Sequence, residues 1–73
     1  MKLRYDPQVD ALYIRFREAP IEHSEEATEG VIVDYDTEER LVGLEILDAS
    51  QVLGGEIKAE LEILTPGSKK AER

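Results

Sequence analysis

Cysteine and tryptophan are absent from the 73 residues, and phenylalanine and histidine occur once each. Without cysteine, neither a disulfide nor a thiolate metal site can stabilise so small a domain, and the composition fits a reducing compartment. Cations are scarce: nine Lys and Arg stand against seventeen Asp and Glu, for a formal net charge of -8. Such a surface repels nucleic-acid phosphates and anionic lipid headgroups, so neither nucleic acid nor a membrane is an expected ligand. Long apolar runs are missing too. The opening Met1-Lys2-Leu3-Arg4-Tyr5-Asp6-Pro7 also carries charge and proline where a signal peptide needs an apolar stretch. A soluble cytoplasmic protein is the expectation. The acidic excess is compatible with a basic protein partner, and its simpler reading is a solubilising coat.

A chain of this length makes one domain and buries only about 60% of its unfolded surface. Stability is then marginal, and association with a second copy or another protein is the remaining support.

What is present centres on Gly30 to Asp48. Two β-branched-rich runs, Val31 to Tyr35 and Leu41 to Leu47, flank a short charged segment, which is the pattern of a β-hairpin. Val31, Val33 and Tyr35 share one face and Ile32 and Asp34 the other; Val42, Leu44 and Ile46 oppose Gly43, Glu45 and Leu47. Both faces carry apolar side chains, which predicts a central place in a sheet. Gly43 marks a bulge or a close approach by another group.

Upstream, Leu3 and Tyr5 alternate with charged residues in a short first strand that ends at Asp6-Pro7. After Asp10, Leu12, Ile14 and Phe16 alternate with Ala11, Tyr13, Arg15 and Arg17, the cleanest period-two pattern in the chain. Ile21 to Thr28 is glutamate-rich and reads as an edge strand or a loop. Downstream, Asp48 as N-cap and Gly54 as C′ residue bracket a helix of one to two turns near residues 49–53. Residues 56–64 alternate as a strand while Ile57, Leu61 and Leu64 also fit helical spacing; the strand is the preferred reading. The fold class is therefore α+β and β-rich: a single antiparallel β-meander sheet of four to five strands with one short helix. The domain is expected over residues 1–66, with 67–73 as a flexible basic tail. One such sheet leaves a face uncovered, and a second copy packing its sheet or edge against the first would supply the missing layer. A homodimer is the expected oligomer.

Three segments together resemble a known family: Tyr5-Asp6-Pro7 with Asp10-Ala11-Leu12-Tyr13-Ile14, then Gly30 to Asp36, then Val42 to Ser50. In order and spacing they look like the small prokaryotic proteins of domain of unknown function family 2283, over about residues 1–53. The family has no established activity. Some members sit beside genes for small basic proteins that look like ribonuclease-type toxins, so the resemblance implies an antitoxin-like or other partner-binding role. Where the family often has a glycine after the acidic turn, this chain has Glu39.

Carboxylates are the main candidates for chemistry. Asp6, Asp10, Asp34, Asp36, Glu45 and Asp48 could gather at one end of the sheet, where Asp34, Asp36 and Asp48 would form an acidic cluster for a divalent cation or small ligand. Asp34, Asp36, Glu38 and Glu45 also match positions 1, 3, 5 and 12 of a calcium loop, but Glu39 occupies the place of its obligatory glycine. Structural roles compete: Asp6 and Asp36 suit turn capping, Asp48 helix capping, and Asp34 and Glu45 could pair with Arg15 or Arg17 across the sheet. His23, among glutamates, has no nucleophile to activate, and Ser24 and Ser50 lack an acyl-transfer context. No catalytic residue and no cofactor is expected.

The preferred reading is a non-enzymatic protein-interaction module. Tyr13, flanked by Arg15, is a typical interface anchor, with partial burial under the helix or C-terminal segment as the competing placement. Glu22, Glu25 and Glu26, within the run from Glu22 to Glu29, would meet a basic partner.

Overall fold

Alternating side chains build five strands in the computed structural model, which describes residues 1–67. The basic tail expected over 67–73 lies, apart from Gly67, outside the described residues. In chain order the elements are β1 (Lys2–Asp6), β2 (Ala11–Arg15), β3 (His23–Thr28), β4 (Val31–Tyr35), β5 (Leu41–Ile46) and a single helical turn, α1 (Ala49–Val52). They form one antiparallel sheet in the order β1-β2-β5-β4-β3. The meander is present as two pieces, β1-β2 and β3-β4-β5, joined by pairing of β2 with β5. The strand richest in buried apolar residues, β5, takes the centre, and glutamate-rich β3 takes an edge, where its charges discourage further pairing.

Facing pairs such as Leu3↔Ile14, Leu12↔Ile46, Ile14↔Leu44 and Val33↔Leu44 put the aliphatic residues on one face. Arg4↔Tyr13, Tyr13↔Glu45, Asp34↔Gly43 and Ser24↔Asp34 put the polar ones on the other. Helix α1 covers part of the apolar face: buried Leu12, Ile46 and Ala49 form the core cluster, with Tyr5, Ile14, Leu44 and Ile57 packed against it. Each buried Leu or Ile contributes roughly 1.5–3 kcal/mol, so this small core holds the fold with little reserve.

Two local features shape the sheet. Asp34 opposes Gly43 and Tyr35 opposes Leu41, so Val42 is the extra residue of a bulge in β5. Its side chain is fully buried, and its carbonyl accepts from the Phe16 amide at 2.8 Å. The β4-β5 turn closes through the Asp36 N–H to the Arg40 carbonyl (3.0 Å) and the Glu39 N–H to the Asp36 carbonyl (3.1 Å). Glu39 has φ 64, the left-handed position that completes a type I turn plus bulge and favours glycine. Relief of that cost, partly offset by the greater freedom of an unfolded glycine, predicts that Glu39→Gly stabilises the protein by about 0.5–1 kcal/mol. A lowered midpoint in urea unfolding would contradict this.

Two expectations are corrected. Asp48 does not cap α1: it sits at φ 51 and its side chain makes no cap hydrogen bond. Residues 56–64 form no strand. Alternation alone does not make a ladder without a partner backbone, and only Ile57 of this stretch returns to the core cluster.

Candidate functional site

The side chains that sequence offers for chemistry fall into three separate places. At the β4-β5 turn, Asp36 is 5% exposed. Its Oδ1 accepts from the amides of Glu38 (2.8 Å) and Arg40 (2.9 Å), and its Oδ2 accepts from Arg17 (2.5 Å) and Arg40 Nε (3.1 Å). The Arg40 amide first, then the Arg17 guanidinium and the Glu38 amide, hold this carboxyl well below the usual carboxylate range, against the opposing effect of burial.

At the opposite end of the sheet, Asp10 takes the role expected of Asp48. Its carboxylate accepts from the Tyr5 hydroxyl (2.6 Å), the Ser50 amide (3.0 Å) and the Ser50 hydroxyl (2.7 Å), and its backbone carbonyl accepts from the Ala49 amide (2.8 Å). Thus a residue forty positions upstream caps α1 and ties the β1-β2 loop to it. The Tyr5 hydrogen bond first, then those from Ser50, lower the pKa of Asp10, and the same bond raises that of Tyr5.

On the polar face, Gly43 lacks the side chain that would block Tyr13. The Tyr13 ring lies across β5 and its hydroxyl donates to Asp34 Oδ2 at 3.2 Å, while the Ser24 hydroxyl donates to Oδ1 at 2.5 Å. This strut crosses four strands, with Asp34 only 7% exposed at its middle. Tyr13 is thereby half-buried by packing over Gly43, on the face away from α1 and Ile57. Asp34 and Glu45 do share the face of Arg15, as the alternation implies, but the expected arginine pairing is replaced. Arg15 pairs with Glu18 (3.4 Å) and lies 6.0 Å from the Tyr13 ring centre, and Arg17 goes to Asp36. A shallow depression of about 370 Å³ lies beside the strut, lined by Arg4, Asp6, Val9, Ala11, Tyr13 and Glu45.

Asp34, Asp36 and Asp48 therefore do not converge. Asp34 is held in the strut, Asp36 in the turn, and Asp48 lies at the other end of the hairpin beside Gly30 and Leu47. Among the described residues no group of three or more His, Asp or Glu side chains is placed to hold a metal ion. Asp6 accepts from the Gln8 amide at 3.0 Å, as a turn-capping residue should. His23 stacks on Tyr35, ring centres 5.1 Å apart, with Glu25 3.4 Å from its Nε2. No buried side-chain nitrogen or oxygen among the described residues lacks a hydrogen-bond partner.

The remaining polar feature is the distribution of charge. Lys2, Arg4, Arg15 and Arg17 lie on or beside β1 and β2, whereas Glu22, Glu25, Glu26 and Glu29 lie along exposed β3 at the other edge. Among the described residues no Lys or Arg pairs with any of those four glutamates. The segregation follows from strand order, so the sequence alone carried only its parts. The Asp10–Ser50 link and the lining role of Arg4 and Glu45 were likewise missed, because the partners lie far apart in the chain.

Fold and surface together define a small open-sheet domain with one polar face and two free edges of opposite charge. The family described as "Protein of unknown function (DUF2283)" matches residues 2–50, all five strands, and the chain belongs to that family. No curated protein and no solved structure matches it. Among the described residues no helix is long and apolar enough to cross a membrane.

Proposed function

We propose that this protein is a non-enzymatic interaction module of the cytoplasm that binds a basic protein through its acidic β3 edge, in the manner of an antitoxin, and works as a homodimer. One observation carries the reading: four glutamates lie in or beside an exposed edge strand, and among the described residues no Lys or Arg pairs with them. An uncompensated field of this kind accelerates encounter with a cationic surface and fixes its orientation. The absence of a catalytic role is supported by the internal use of the side chains that chemistry would need. Asp10, Asp34 and Asp36 are each held by two or more donors.

The test is capture of complexes from native lysate at low and raised salt, beside the variant Glu22→Lys/Glu25→Lys/Glu29→Lys. A stoichiometric basic protein, lost with salt and bound at least about tenfold more weakly by the variant, is the expected result. A partner indifferent to both changes, or one that is acidic, would refute the β3 assignment.

A further inference from the structure

Residues 56–64 have the pattern of a strand and no ladder partner among the described residues. Ile57 rests on the core cluster, but beyond it Leu61 is 78% exposed, Ile63 81% and Leu64 44%. Contiguous exposed aliphatics on a short segment mark a surface that something covers. β1 is an edge of the sheet, its outer ladder groups unpaired among the described residues and Leu3 48% exposed. A segment of strand pattern and an open edge occur in one chain.

We propose that the segment around residues 58–62 of one copy adds as a sixth, antiparallel strand to the β1 edge of a second copy, and that the exchange is reciprocal. The inference rests on the self-association in the reading above and names its surface. Charge selects the register. With Lys2 opposite Glu62, Arg4 opposite Glu60 and Asp6 opposite Lys58, all three charged pairs are of opposite sign. Leu3 then faces Leu61, and the aliphatic side chains continue the apolar face of the sheet.

Other alignments fail on the same chemistry. Sliding the arm by two residues one way sets Asp6 opposite Glu60, and the other way sets Arg4 opposite Lys58. Sliding by one turns Leu61 and Ile63 to the polar face. A parallel strand with acids opposite Lys2 and Arg4 puts Leu64 opposite Asp6. On the β3 edge, keeping the aliphatics on the apolar face would set Glu60 or Glu62 beside Glu26 and an aliphatic residue beside Glu25. A second copy is the occupant because each arm is anchored by Ile57 over its own apolar face and runs from there into solvent, unpaired with its own β1. The arm also lies beyond the residues 2–50 matched by the family.

Sedimentation equilibrium of the full chain is expected to show a dimer. K2E/R4E and E60K/E62K, all at exposed positions, should each weaken dimerisation roughly 100-fold, and the four changes together should restore it. Because the chain has no cysteine, L3C/L61C introduces its only two thiols, and oxidation should join position 3 of each copy to position 61 of the other in a covalently linked dimer. A disulfide-closed monomer would place the arm on its own edge and overturn the proposal. A dimer indifferent to every variant would overturn the arm exchange while leaving self-association standing; a wild-type chain that stays monomeric at millimolar concentration would overturn both.

Discussion

Gly43→Ala is expected to destabilise the protein by about 1–3 kcal/mol and to lower its thermal midpoint by roughly 5–20 °C. A Cβ at this position would lie 2.9 Å from Tyr13 Cζ, 3.2 Å from Asp34 Oδ2 and closer still to the Tyr13 hydroxyl. The ring cannot swing aside without consequence, since its hydroxyl is one of the two side-chain donors to the buried Asp34 carboxylate. Nor can β5 move freely, because Gly43 pairs with Arg15 on one side and Asp34 on the other. The physical cause predicts a specific non-additivity. In a Tyr13→Ala background the obstacle is gone, and Gly43→Ala should then cost much less. Urea unfolding of the four proteins in this cycle checks it; an equal cost in both backgrounds would show that Gly43 is needed for something other than passage of the tyrosine.

The second large effect is acid lability centred on Asp36. Its carboxyl is held below the usual range in the folded protein, so the stability it contributes is complete above the unfolded value of about 4 and is lost as pH falls through the folded one. Asp10 acts in the same direction. Wild-type stability should therefore stay level from neutral pH down to about 5 and fall steeply below about 4. Asp36→Asn should be less stable at neutral pH, since it loses the ion pairs to Arg17 and Arg40, and should lose less on acidification, so that the two curves converge. Tyr5 has the opposite sign: its raised value gives stability that is complete below about pH 10 and lost as pH rises through the folded value. Denaturant titrations across the pH range measure both limbs. Parallel curves for wild type and Asp36→Asn would rule out the assigned origin of the acid limb.

These two predictions differ in how far the sequence anticipates them. Asp36 is legible as a turn-capping residue because its partners, the amides of Glu38 and Arg40, lie two and four positions away. Asp6 is legible for the same reason. Gly43 is legible only as a place where something comes close; that the visitor is Tyr13, from β2, depends on a strand pairing no local pattern encodes. The exchange of roles between Asp48 and Asp10 has the same root. Asp48 stands where a capping residue belongs, but the chain passes through it in a left-handed conformation, and Asp10 arrives from the far side of the sheet once β2 pairs with β5. In residues 56–64 the pattern is again clear and the outcome is not, because a strand exists only where a second backbone receives its hydrogen bonds.

Period-two alternation by itself located β1, β2, β4 and β5 and showed which of their side chains share a face. These follow from the geometry of an extended backbone and from the need to bury one apolar face. The glutamates of residues 21–28 offered an edge strand or a loop, and residues 56–64 offered a strand that does not form. Only the tertiary structure decided which strands are neighbours, and with that which acid meets which donor and where the two charges of the surface collect. The physical reason is that ladder hydrogen bonds join backbones that are alike at every residue. Partner choice is settled instead by contacts between distant segments: Leu12 and Ile46 under Ala49, Tyr13 over Gly43, and Asp10 against Ser50.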